Sequence, residues 1–120
     1  MANAHMEIRW NFGVGKPPGA ADWAASVYTY YLNIWVGGGP FVDNVQPPGP
    51  PNHTNERLKG PDPWAGTRLI DAPEGEWFWV AFFVDTPGPS RWRASKAFQA
   101  ANNFSALFQT SDLVDIGWPS

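Results

Sequence analysis

The sequence predicts an all-β sandwich, and three observations carry that prediction. Apolar residues recur at period two in several short stretches, the spacing of a half-buried strand. Thirteen prolines and twelve glycines punctuate the chain, and no long segment keeps the 3.6-residue apolar period of a helix. Turn-forming clusters separate the alternating stretches, as expected of many short antiparallel strands.

Each element is justified in turn. Glu7-Ile8-Arg9-Trp10-Asn11-Phe12 alternates strictly, with Ile8, Trp10 and Phe12 on one face. Residues 26–36 (SVYTYYLNIWV) are rich in β-branched and aromatic residues. Their even positions, Tyr28, Tyr30, Leu32, Ile34 and Val36, form an apolar face. The odd positions carry Thr29, Tyr31, Asn33 and Trp35, and Gly37-Gly38-Gly39-Pro40 ends the strand. Residues 37–67 form a long Pro/Gly-rich loop holding most of the prolines. Within it, Pro47-Pro48-Gly49-Pro50-Pro51 is extended and stiff. Phe41, Val42 and Val45 suit a short strand. A loop of this length inside a domain is functional or mobile. Strand character resumes at Thr67-Arg68-Leu69-Ile70, and Pro73-Glu74-Gly75 turns the chain into a strand over 77–84. Thr86-Pro87-Gly88-Pro89 turns it again, and 92–99 returns antiparallel. Residues 100–108 suit one or two helical turns, and 112–118 (DLVDIGW) a last short strand.

The 120 residues fit one domain, read as a sandwich over 1–99 and a C-terminal extension over 100–120. Apolar residues make up 43% of the chain, which excludes general disorder. Charged residues are only 16%, below the usual ~25%, so the polar coat is thin for a free monomer. The net charge is −3 with Lys and Arg scattered, which argues against nucleic acid as a partner. With no cysteine, disulfides and thiolate metal sites are excluded. The start, MANAHMEIRWNF, has no basic stretch followed by an apolar core, so the expectation is a chain without a signal peptide, made in a cytoplasm. The longest apolar run, 77–84, is far short of the ~20 residues of a membrane helix, so no membrane partner is expected.

The segment 73–92 (PEGEWFWVAFFVDTPGPSRW) resembles the second half of fibronectin type III domains. Pro73, Gly75, Trp77, Trp79, Ala81, Phe83, Asp85, Gly88, Ser90 and Trp92 follow that family's order of turn, alternating strand and Gly-Ser-Trp. Upstream, Ile8-Arg9-Trp10 and Tyr30-x-Leu32-x-Ile34 are similar to its early strands, so the likeness covers roughly 7–99. It implies an antiparallel fibronectin type III or immunoglobulin-like β-sandwich. The departures are a missing first strand, long connections at 13–27 and 37–67, and Trp77 where the family has tyrosine. That tyrosine's corner hydrogen bond is therefore lost or remade. A bare edge is costly unless covered, so 112–118 is expected to cover it, from the same chain or a neighbouring copy.

Between Glu76 and Asp85 lie eight uncharged residues, five of them aromatic. The family pattern turns Trp77, Trp79, Ala81 and Phe83 toward the core. Phe78, Val80, Phe82 and Val84 then form a second apolar face, which an antiparallel sheet with one wet side does not have. These four, with Leu113, Ile116 and Trp118, are the expected partner interface.

Motifs for catalysis are absent: there is no nucleophile elbow, metalloprotease helix, phosphate loop or dinucleotide fingerprint. His53, beside Asn52, Thr54 and Glu56, lacks a local nucleophile and orienting acid, and His5 lies near a terminus. Both read as solvated. Asp71, Glu74 and Glu76 read as a solvated acidic turn rather than a cation site. The sequons at Asn52 and Asn103 read as chance, and Arg91-Trp92-Arg93 as a tryptophan packed under arginine stems. No cofactor, metal or catalytic residue is expected.

The expectation is a non-enzymatic structural or adhesive module of a multi-subunit assembly. By analogy with fibronectin-like domains of tailed-phage virions, it is a virion accessory protein of the tail or capsid-decoration kind, assembled in the host cytoplasm. Its partners are copies of itself or another virion protein. The rival expectation is a carbohydrate-binding sandwich stacking glycans on Trp23, Trp35 or Trp64, with Tyr31 a further off-core aromatic.

Overall fold

The computed structural model describes residues 3–12, 29–58, 65–85 and 91–116. Strict alternation produces β1, Asn3–Asn11, whose Ala4, Met6, Ile8 and Trp10 are buried while the odd residues face outward. The same rule produces β2, Thr29–Val36, with Tyr30, Leu32 and Ile34 in the core. There follow β3, Thr54–Arg57, β4, Ala65–Pro73, β5, Trp77–Asp85, and β6, Arg91–Gln99. The chain continues through β7, Ser105–Gln109, a 3-10 turn at Thr110–Asp112, and β8, Val114–Asp115.

These strands form two sheets, one of three strands in the order β4-β1-β7 and one of five in the order β3-β2-β5-β6-β8. Every pairing is antiparallel except β1 with β7, which is parallel over Glu7–Asn11. The sheets pack face to face as a sandwich-like globule, and one hydrophobic core runs between them. Phe82 lies at its centre, with ring centroids 5.0 Å from Trp10, 5.5 Å from Phe12 and 4.9 Å from Phe108. Its contacts with Phe12 and Phe108 are edge-on, the arrangement that aromatic quadrupoles favour.

The strand over 77–84 faces the opposite way from the family pattern. Phe78, Val80, Phe82 and Val84 are the inter-sheet core, each 0–1% exposed, so they are closed to a partner surface. Trp79, Ala81 and Phe83 point to the far side of the five-stranded sheet and form a second cluster with Trp35. Register decides this. Leu32 lies opposite Phe82, and Ile34 opposite Val80. The face of β2 that is apolar throughout therefore carries the even residues of β5 inward with it. Chemistry agrees: Phe and Val have no polar atoms to satisfy between two sheets, whereas an indole N–H needs an acceptor.

The proline-rich segment supplies that acceptor. It does not hang free but folds back over the outer cluster. Trp79 Nε1 donates to the Val42 carbonyl at 2.9 Å, and Trp35 Nε1 to the Gly49 carbonyl at 3.2 Å. Asp43 accepts from the Ala97 amide at 2.7 Å, and Arg93 donates to the Asn44 carbonyl at 2.9 Å. The arm's base is pinned by Asn52, whose side chain bonds both the amide and the carbonyl of Val36 at 2.8 Å. Val42 and Val45 do not extend a strand; they face each other across a tight turn closed by the Val45 amide, with Asn44 at φ 63°. The glycine run before the arm has a backbone reason: Gly37, Gly38 and Gly39 all take positive φ. At Gly39 a β-carbon would also stand 2.6 Å from Trp77 Cγ.

Residues 100–108 form no helix. The chain turns at Asn102-Asn103, with Asn103 at φ 65°, and then enters β7. SALFQ keeps a strand period: Ala106 and Phe108 are buried, Ser105 and Leu107 exposed. The bare edge of β1 is therefore covered by 105–109 rather than by 112–118. The described part of 112–118 instead pairs with β6 at Trp92 and Arg93, on the other sheet. The sandwich thus continues past residue 99 into the extension.

Candidate functional site

The residues proposed from sequence are not gathered in one place. Phe78, Val80, Phe82, Val84 and Leu113 are core, and Ile116 is partly exposed beside the β6 edge. Trp118 lies outside the described residues, as do Trp23 and Trp64. Trp35 is buried at 4% exposure with its ring edge-on to Trp79, so it offers no open platform to a sugar. His53 sets its ring edge-on to Phe78 at 5.6 Å. The Asn52 side chain is committed to Val36. Asp71 turns to His5, and no cluster of three or more metal-ligating side chains occurs among the described residues.

The arginines do cover aromatic rings, though not that of Trp92, which faces the core. Arg91 stands 4.3 Å over Phe83 and donates from Nε to Asp85 at 2.7 Å. Arg93 lies 5.4 Å over Trp79. Burial pushes the Asp85 carboxyl above its ordinary value, and Arg91 pulls it only part of the way back. Burial also lowers Arg93. These groups close the outer side of the five-stranded sheet and serve the fold.

Besides the exposed Val42 and Val45 of the arm and Val114 and Ile116 beside β6, an open surface lies on the other sheet. Alternation turns His5, Glu7 and Arg9 of β1, Thr67, Leu69 and Asp71 of β4, and Ser105 and Leu107 of β7 to one outer face. Leu69 is 75% exposed and Leu107 40%. The charges between them are mixed. Arg9 approaches Glu7 at 3.7 Å, and His5 Nδ1 meets Asp71 Oδ1 at 2.6 Å, both at exposed positions. A cleft of about 570 Å³ opens here, lined by His5, Glu7, Leu69, Asp71, Asn103 and Ser105 among others. The turn below it is held by hydrogen bonds from the Asn103 amide to the His5 carbonyl and from the His5 amide to Asn102.

β4 is also an edge strand. Its nine residues pair with β1 on one side, while the other side carries a row of backbone groups that no described strand meets. The remaining edges are blunter. β3 has four residues and β8 two, and Lys96 caps the Leu107 carbonyl on β7 at 2.9 Å. The signal for this face was present in the sequence, since Thr67-Arg68-Leu69-Ile70 places a leucine out of phase with the buried Ile70. Its importance depended on knowing that β4 lies at an edge. Exposed aliphatics among mixed charges suit a protein surface, and the hydrogen-bonding row beside them suits an added strand.

No protein-family model, curated protein or solved structure matches this chain.

Proposed function

We propose that the chain is a non-enzymatic, fibronectin type III-like structural module of a multi-subunit assembly, a virion accessory protein of the tail or capsid-decoration kind. The observation that carries this reading is the outer face of the three-stranded sheet. There Leu69 and Leu107 stand exposed beside a nine-residue edge that no described strand pairs with. Among the described residues the core is closed by the facing sheet and the Trp35/Trp79 cluster by the arm, while Val42 and Val45 on the arm and Val114 and Ile116 beside β6 are exposed singly, away from a long strand edge.

The fold reading is supported by where the chain changes sheets. It crosses between β1 and β2, β3 and β4, β4 and β5, β6 and β7, and β7 and β8; the first and third of these match the crossings of immunoglobulin-like sandwiches between their second and third and their fifth and sixth strands. On this reading β7, parallel to β1, takes the side of β1 that the family's first strand would take. The virion assignment follows by fold-level analogy.

Sedimentation velocity at two concentrations tests the proposal, on the native chain and on a Leu69→Lys, Leu107→Lys variant. The native chain forms larger species as concentration rises, the variant does not, and tryptophan fluorescence is unmoved by sugars. A native chain that stays monomeric at high concentration contradicts the reading, and so does saturable quenching by a glycan.

A further inference from the structure

We propose that the partner of the β4 edge is β4 of a second copy, paired antiparallel about a two-fold axis at Leu69. This rests on the assembly reading above and names its contact. An edge strand offers backbone donors and acceptors that only another strand satisfies in full, and a two-fold axis lets one patch meet itself.

Side chains select the register. Residues opposite each other in an antiparallel pair share a face. With Leu69 on the axis, the two exposed leucines meet, Thr67 faces Asp71 of the second copy, and inward-facing Arg68 faces Ile70. A one-residue shift in one direction sets each leucine against a carboxylate. The opposite shift sets Arg68, which already pairs with Glu56 of its own chain at 2.7 Å, against its own copy and moves the two leucines apart. Both are destabilising.

The axis at Leu69 also brings opposite charges together. Arg9 pairs with Thr67 across β1 and β4. Asp71 of the second copy therefore falls in the same row as Arg9, two strand spacings or about 10 Å away along the sheet, within reach of an arginine. The carboxylate already holds His5 of its own chain at 2.6 Å. The six strands then form one continuous sheet, and Pro73, lacking an N–H, falls at each end of the new pairing where its missing donor matters least.

The chain has no cysteine, so a single introduced one reports the contact without background. Opposed residues in antiparallel strands stand about 4.5 or 5.5 Å apart, inside the disulfide range of roughly 4.4–6.8 Å. A Leu69→Cys chain under mild oxidation forms a covalent dimer. A Thr67→Cys chain cross-links at least about tenfold more slowly, because its own copy lies some 13 Å along the strand. Mixed Thr67→Cys and Asp71→Cys chains cross-link to each other. Position 69 is exposed within one copy, so at a concentration where both chains are monomeric the reduced variant keeps the native urea midpoint. If the native chain self-associates but Leu69→Cys cross-links no faster than Thr67→Cys, the β4 pairing is wrong and the assembly reading stands. If the native chain is monomeric and Leu69→Cys stays uncross-linked, both fall.

Discussion

Trp79→Ala tests whether the proline-rich arm is part of the fold. Trp79 is fully buried on the outer side of the five-stranded sheet. Truncating a buried tryptophan costs about 3–5 kcal/mol through lost contacts and the cavity left behind. Here the indole also donates to the Val42 carbonyl at 2.9 Å, a bond worth about 1 kcal/mol net. Val42 is 60% exposed, so water can take over its carbonyl and little desolvation penalty is added. The edge-on contact with Trp35 at 5.1 Å disappears as well, placing the total near the upper end, about 4–5 kcal/mol. Urea unfolding followed by far-UV circular dichroism measures it. Limited proteolysis within 41–51 gives the local readout and accelerates in the variant. A loss below about 2 kcal/mol, or unchanged cleavage of the arm, refutes the reasoning that this segment closes the second apolar face.

Other expectations follow from the same structure. Phe82→Ala, which removes the ring touching Trp10, Phe12 and Phe108, costs about 3–5 kcal/mol in urea unfolding; a stable monomer that merely loses association would contradict its core placement. Gly39→Ala costs about 1–3 kcal/mol, because φ is 73° there and a β-carbon meets Trp77; an unchanged urea midpoint would show that the arm leaves the sheet another way. Burial raises the pKa of the folded Asp85 carboxyl above its ordinary value. Its contribution to stability is therefore present below that value and fades as pH rises through the folded pKa. Relative to Asp85→Asn, the native chain loses stability across that acidic window, and parallel pH–stability curves would contradict the raised carboxyl.

The legible part of the fold was the part where alternation is one-sided. β1 and β2 were readable because one face of each is apolar and the other carries Glu7, Arg9 or Asn33, which fixes the direction of every side chain. β5 was readable as a strand but not in orientation. Both of its faces are apolar, so its own sequence holds no preference, and pairing with β2 decides. β7 was missed because SALFQ is five residues long and follows a turn made by Asn102-Asn103 without glycine or proline. The arm was recognised as unusual, but its docking depends on indole N–H groups brought beside it from β2 and β5, distant in sequence. The exposed face was illegible for a similar reason. A leucine at an edge and a leucine in a central strand look alike until the sheet order is known.

The apolar surface of β5 is closed within one chain, and the proposed association uses the opposite sheet. Hydrogen exchange at low and high protein concentration, resolved along the chain, tests this arrangement directly. Raising the concentration slows exchange in β4, with 41–51 and β5 unchanged. Concentration-dependent protection confined to 41–51 or β6, with β4 unaffected, would contradict it.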